Sequence, residues 1–203
     1  MVHGIVLAAG QSSRMGQPKA GLRLGSAGPT FAAAVSRLLL DAGVARVVVV
    51  AGAHPEAVRA AVEPGPDVQV VHHGGWAAGQ LSSLLAGLDA VDDPALAAIA
   101  VTLVDVPLVR VATVRMLLDA WRQSGAPVVR PAIAGKHGHP VIFDRATFAA
   151  LRAAPLEVGA KAVIAACGPR VLNVPTDDAG VLRDVDTPAE YAALLDGQRL
   201  AGG

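Results

Sequence analysis

The stretch "RVVVVA", residues 46–51, places four consecutive valines where a strand with one wet face would alternate apolar and polar side chains. Absence of alternation is expected of a strand covered by helices on both faces, and so of a central strand in a mostly parallel sheet. Outward from it, β-branched apolar runs recur between Ala/Leu-rich segments of helical spacing, the pattern of βαβ units in a three-layer α/β fold. Strands are expected at 4–8, 46–51, 68–72, 99–104, 127–130, 140–143 and 171–174. Helices are expected at 31–42, 55–62, 81–89, 111–123, 144–152, 160–166 and 188–195. The segments 127–130 and 140–143, joined through "PAIAGKHGH", read as a hairpin or ribbon that breaks the βα rhythm and forms a small lobe over the sheet.

The 203 residues suit a single domain, expected over 1–196, with a loose tail at 197–203 ("GQRLAGG"). Seventeen basic residues balance seventeen acidic ones, which gives no electrostatic footprint for a nucleic-acid polymer or an anionic membrane surface. The apolar runs are too short to span a bilayer, and the start "MVHGIVLAAG" lacks the basic region of a signal peptide, so the expected location is cytoplasmic. Cys167 is the only cysteine, which excludes an internal disulfide and a Cys-x-x-Cys metal site. In "TPAE", Thr187 is an N-cap, Pro188 the first helical residue and Glu190 the capping-box partner, which sets Asp186 just outside a helix N-terminus.

In an open α/β sheet, ligands bind beyond the carboxyl ends of the strands, so the loop after the first strand is the place to look for a site. That loop, "LAAGQSSRMGQPKAGL" at residues 7–22, is not a Walker A motif: Gly10 and Gly16 enclose five residues and Gln17 follows. The Gly-x-Gly-x-x-Gly dinucleotide pattern is absent too, and after the second strand "AGAHPE" places Glu56 beyond a proline, which disfavours a nicotinamide enzyme. What remains is a loop whose small Ala8, Ala9 and Gly10 let backbone approach a base or phosphate, followed by Arg14, a planar fork, and Lys19, a compact charge. A nucleoside triphosphate fits that description; an exposed loop with two solvated cations fits it equally well.

Two further segments bear on the choice. Asp105, in "AIAVTLVDVPLV", follows an apolar strand at the same sheet edge, where a divalent cation bridging phosphates would be one partner for its charge and a helix cap or salt bridge another. Asp184 and Asp186, in "LRDVDTPAEY", share a face if extended; Asp186 is the better candidate for the same cation, Asp184 for a solvated or Arg-paired acid. Together these pieces describe metal-assisted nucleotidyl transfer, with Mg²⁺ neutralising charge and Arg14 and Lys19 stabilising the departing pyrophosphate. A phosphate acceptor is already ionised, so neither a covalent nucleophile nor a general base is needed.

In the order and spacing of "LAAGQSSRMGQPK", "GGWAAGQLSSLLAGL", "LVDVPLV", "GKHGHPVIF" and "DVDTPAEY" the sequence resembles the MobA-like nucleotidyltransferases, and within them the branch of the molybdenum cofactor cytidylyltransferases. The resemblance implies a three-layer α/β/α Rossmann-like nucleotidyltransferase fold, with a mostly parallel sheet and a small β-ribbon lobe. It also implies a nucleotide held by Leu7, Ala8, Ala9, Gly10, Arg14, Lys19, Gly79, Ser82 and Ser83. Arg14, Lys19 and Asp105 would be catalytic, Asp105 and Asp186 would bind Mg²⁺, and His139, with His137 as a weaker candidate, would contact the acceptor. For Ser82 ordinary helix capping competes with a ligand role. Family members with Leu-Ala-Ala-Gly in the first loop tend to use CTP and those with Leu-Ala-Gly-Gly GTP, so the resemblance favours CTP by about 1 kcal/mol, the scale of single-methyl selectivity.

The function so implied is transfer of CMP from CTP to a phosphorylated small molecule, molybdopterin in the first instance, with delivery to a molybdoenzyme or its chaperone. The alternatives are the same reaction with GTP or with another phosphorylated acceptor, an NAD(P)H-dependent oxidoreductase, and a nucleotide-binding regulator without turnover.

Overall fold

The computed structural model describes residues 1–63, 65–91 and 93–201, with side chains up to residue 197. One sheet contains β1 (Val2–Ala8), β2 (Val47–Ala51), β3 (Val68–His72), β4 (Ala98–Leu103), β5 (Val128–Ile133), β6 (Lys136–His137), β7 (Val141–Asp144) and β8 (Val171–Pro175). Its order is β3-β2-β1-β4-β7-β5-β6, and β8 pairs with β5. The helices are α1 (Phe31–Asp41), α2 (Pro55–Ala61), α3 (Gln80–Val91), α4 (Val111–Ser124), α5 (Phe148–Ala153), α6 (Ala160–Cys167) and α7 (Pro188–Ala201). Among the described residues no helix is long and apolar enough to cross a membrane.

The valine run behaves as its lack of alternation requires. Every residue of β2 is fully buried. Val47 and Val49 point into a core shared with Phe31 and Leu39 of α1 and Leu117 and Leu118 of α4. Val48 and Val50 point into a second core, built with Leu81, Leu84 and Leu88 of α3, Leu151 of α5 and Val163 of α6. Each such side chain contributes about 1.5–3 kcal/mol over an exposed one, so both faces of the strand have to be covered for the sequence to make sense. Gly87 lets α3 come close: a Cβ there would sit 2.6 Å from Ile5 Cγ2 and 2.9 Å from Val50 Cγ2.

Beyond β4 the parallel pattern ends. The segments expected to form a ribbon over the sheet are a continuation of it, since β7 pairs antiparallel with β4 (Val101↔Val141, Ile99↔Phe143) and β5 with β7 (Val129↔Ile142). The reason is burial: Val141, Ile142 and Phe143 complete both cores and could not be left on a detached lobe. The ribbon character survives in the β5–β6 hairpin, whose two turn residues, Ala134 (φ 47°) and Gly135 (φ 79°), are both left-handed, as a two-residue turn of this hand requires.

At the other end of the chain the capping box is complete. The Glu190 carboxylate accepts the backbone N–H groups of Asp186 and Thr187 at 2.8 Å, and Thr187 Oγ1 accepts the Glu190 N–H at 3.3 Å. α7 runs to Ala201, so the loose tail expected from residue 197 does not begin there; residues 202 and 203 lie outside the described residues.

Candidate active site

Parallel pairing brings the carboxyl ends of β1, β2 and β4 to one edge, with Leu7 in register with Val50 on one side and Leu103 on the other. The loops after these strands are tied together. Ala53 N–H donates to the Ala9 carbonyl at 3.1 Å, and Gly52 lies so close that a Cβ there would be 2.5 Å from that oxygen and 2.6 Å from Trp76 Cβ. The result is a cleft of about 340 Å³ over the sheet edge. Leu7, Ala8, Ala9, Gly10, Lys19, Gly79, Ser83 and Asp105, all singled out in the sequence, line it.

Lys19 organises the floor. It opens a single 3-10 turn (Lys19–Gly21), and its own N–H is accepted by Ser12 Oγ at 3.3 Å. Its side chain, 11% exposed, donates to Asp105 Oδ2 at 2.6 Å and also to Asp186 Oδ1. Those partners are 86 and 167 residues away in sequence. Burial works against the ammonium, but the hydrogen bonds and charges of the two carboxylates outweigh it and raise its pKa above the ordinary lysine value. The Lys19 hydrogen bond, followed by the charges of Lys19 and Arg14, holds the Asp186 carboxyl below the usual range. Arg14 is not in the cleft; its largely exposed side chain arches over the rim to Asp186 Oδ2 at 2.9 Å.

Asp105 is the most informative residue. One oxygen takes Lys19, whereas Oδ1 is buried with no hydrogen-bond partner. A buried carboxylate oxygen without a donor is costly and calls for a cation. Asp184 is close by as well: burial, then the like charges of Asp105 and Asp186, push its pKa up. The Val185 N–H donates to the Asp105 carbonyl at 2.8 Å, which locks the Asp184–Asp186 segment against the end of β4. Among the described residues there is no group of three or more His, Cys, Asp and Glu side chains placed to hold a metal. Two carboxylates with hard oxygen donors and room for phosphate oxygens suit a Mg²⁺-type ion, which keeps its remaining positions for substrate and water.

Besides Arg14, three of the nucleotide and acceptor candidates singled out in the sequence lie outside the cleft lining. Ser82 does not reach the cleft. Its hydroxyl donates to the Gly79 carbonyl at 2.7 Å and lies 3.1 Å from His73 Nε2, so it fastens the 73–79 loop to the start of α3. His139 lines a second cavity rather than the cleft, 3.5 Å from the Val101 carbonyl; burial lowers its pKa against the charges of Asp184 and Asp105. His137 lines that cavity too. Sequence reasoning passed over Ser12, His54 and Gln80, which line the cleft. A serine at φ 54° in a loop is visible only in three dimensions.

Comparison with known proteins gives the family and the fold. A family model described as "MobA-like NTP transferase domain" matches residues 4–171. The chain is similar to the nicotine blue oxidoreductase of Paenarthrobacter nicotinovorans, 35% identical over 150 residues, 70% of this chain and 71% of that protein. It is also similar to a probable molybdenum cofactor guanylyltransferase of Opitutus terrae, 39% identical over 129 residues, 64% of this chain and 60% of that protein. Among solved structures it resembles the manganese complex of Rv0371c from Mycobacterium tuberculosis, at 31% identity and a TM-score of 0.74, over 96% of this chain and 98% of that one.

Proposed function

The chain belongs to the MobA-like NTP transferase family and is an enzyme of the nucleotidyltransferase type, and from that premise we propose that it transfers GMP from GTP to a phosphorylated small molecule of the molybdopterin kind. The observation that carries the reading is Lys19 held between Asp105 and Asp186 in a cleft lined by the small-residue loop. GTP is placed first because two curated relatives are named guanylyltransferases. A second reading, CTP, rests on Ala9, which lines the cleft and where a glycine would leave more room for a purine. The product would pass to a molybdoenzyme or its chaperone.

In this reading the triphosphate lies along the 8–19 loop, with its phosphates toward Lys19 and Arg14. Asp105 and Asp186 would hold a divalent cation, Mg²⁺ or Mn²⁺, which when bound supplies charge neutralisation to both reactants. An acceptor phosphate oxygen forms a bond to the α-phosphorus, and the bond from that phosphorus to the β-bridging oxygen breaks. The pyrophosphate leaves with the electron pair, its charge met by Lys19 and Arg14. No protein group has to move a proton. Asp184, with a raised pKa, crowds the carboxylate cluster and limits how much further negative charge it can accept without a cation.

The test is pyrophosphate release and labelled product from α-labelled GTP and CTP, with molybdopterin and Mg²⁺ or Mn²⁺, in parallel with NADPH oxidation. Metal-dependent release with GTP supports the first reading and with CTP the second. NADPH consumption without release would favour the redox chemistry named for the Paenarthrobacter relative and overturn both.

A further inference from the structure

The chain returns from β8 to α7 through residues 176–187, and this crossing segment carries both Asp184 and Asp186. Facing it is the connection from β4 to α4, residues 104–110, which carries Asp105. The two carboxylates that share Lys19 are therefore set on segments that belong to neither a strand nor an α-helix. Such segments keep a fixed geometry only where contacts from outside them set their spacing.

Contacts at both ends and in the middle do so here. At the near end the Val185 N–H donates to the Asp105 carbonyl at 2.8 Å. In the middle, Gly180 of the turn Ala179–Leu182 is pressed so close that a Cβ would sit 2.2 Å from the Leu108 carbonyl oxygen. At the far end is Asp178, 4% exposed. Its Oδ2 accepts the Arg110 backbone N–H at 2.8 Å and the Thr113 hydroxyl at 2.7 Å, and its Oδ1 accepts the Gly180 N–H at 3.0 Å. Arg110 Nε lies 3.6 Å from the same Oδ1. Residues 105–110 and 178–185 thus form a frame joined at both ends, with Val106, Val109, Val181 and Val185 buried in one core.

Asp178 does not line the cleft, so its part in the chemistry is indirect. A helix start is usually served by a side chain of its own N-cap residue, yet Arg110, the N-cap of α4, makes no such bond. The acceptor comes instead from a carboxylate 68 residues away, which makes the start of α4 and the crossing segment one unit. The Val181 carbonyl, taken by the His139 N–H at 3.0 Å, holds the middle of the segment independently. Loss of Asp178 therefore loosens the frame without releasing the whole segment.

Resting on the reading that Asp105 and Asp186 hold a divalent cation, we propose that Asp178 is a positioning residue for that pair. It closes the far end of the frame and so fixes the separation at which the two carboxylates share one cation, whether the Lys19 ammonium or a divalent ion. Without it, the spacing of Asp105 and Asp186 depends on the Val185 hydrogen bond and on packing alone.

The experiment titrates Mn²⁺ into the full chain without nucleotide, follows the free ion by electron paramagnetic resonance, and records a thermal melt of each variant. Asp178→Asn, which leaves one accepting oxygen for three donors, is expected to weaken Mn²⁺ binding about ten-fold, and Thr113→Val, which removes one donor and keeps the shape, about three-fold. Thr113→Val keeps the test open if Asp178→Asn does not fold. Asp177→Asn removes the same charge from the neighbouring residue, whose side chain is 90% exposed, and should leave Mn²⁺ binding within about two-fold. Leu118→Ala, a core truncation in α4, should lower the melting temperature without moving Mn²⁺ affinity. Wild-type Mn²⁺ binding in Asp178→Asn and Thr113→Val, beside a loss in Asp105→Asn, would overturn the proposal and leave the cation reading standing. An equal loss in Asp177→Asn or Leu118→Ala would overturn it too, by reducing the effect to charge or stability. Wild-type Mn²⁺ binding in Asp105→Asn would remove the cation reading and the proposal with it.

Discussion

Replacing Lys19 with methionine removes the cation that two carboxylates share and keeps the volume of the side chain. The ammonium is 11% exposed and the carboxylates of Asp105 and Asp186 are 18% and 20% exposed. Breaking a fully buried ion pair costs about 3–5 kcal/mol, because it strands the remaining charge. Here partial exposure and the Arg14 contact on Asp186, which survives at 2.9 Å, reduce the expected loss to about 2 kcal/mol. For a domain of this size that lowers the melting temperature by about 4–8 °C.

The sign of the pH dependence follows from Asp186, whose carboxyl the Lys19 hydrogen bond holds below its ordinary value. A depressed carboxyl contributes stability that is full above its unfolded value, about 3.9, and is lost as pH falls through the folded one. The gap between wild type and Lys19→Met should therefore be open at pH 7 and close toward pH 3. Millimolar Mg²⁺ should stabilise the variant more than the wild type, since the cation can take the place of the lost ammonium between the two carboxylates. The assay is a thermal melt at pH 7 and pH 3, with and without Mg²⁺. A variant that melts at or above the wild-type temperature at pH 7 in the absence of divalent ions would refute the electrostatic account of this site.

Asp105→Asn should lower turnover by about a hundred-fold or more, the scale of removing one preorganised electrostatic contact, while circular dichroism stays native; activity within two-fold of wild type would take Asp105 out of the mechanism. Ala9→Gly should shift the ratio of GTP to CTP use toward GTP by about ten-fold or less, the range of a single methyl group, and steady-state competition between the two nucleotides reads it directly. Ala134, at φ 47°, occupies a backbone region that costs a non-glycine residue about 1–2 kcal/mol, partly offset by the unfolded-state entropy of glycine. Ala134→Gly should then raise the melting temperature by about 1–2 °C, and a fall would show that the turn does not carry that strain.

Much of the architecture was legible in local pattern. The unbroken valines of β2, the helical spacing of α1 and α4 and the Thr187–Glu190 capping box act through neighbours in sequence, and each appears where periodicity and capping chemistry place it. The first loop was legible as well, because small residues followed by two cations after a buried strand are a local signature.

What periodicity cannot carry is the order of strands and the direction of side chains after the chain has crossed the molecule. Only the insertion of β7 between β4 and β5 puts Arg130 in the lining of one cavity with Leu7 and Leu103. Only the folded start of α3 turns Ser83 into the cleft and Ser82 away from it, although the two are adjacent in sequence. The sequence by itself determined the layers, the caps and the kinds of charge available for catalysis, since those depend on contacts within a few residues. The tertiary structure decided which charges meet, bringing Lys19 to Asp105 and Asp186 across 86 and 167 residues, because burial in two cores sets long-range position and no local spacing encodes it.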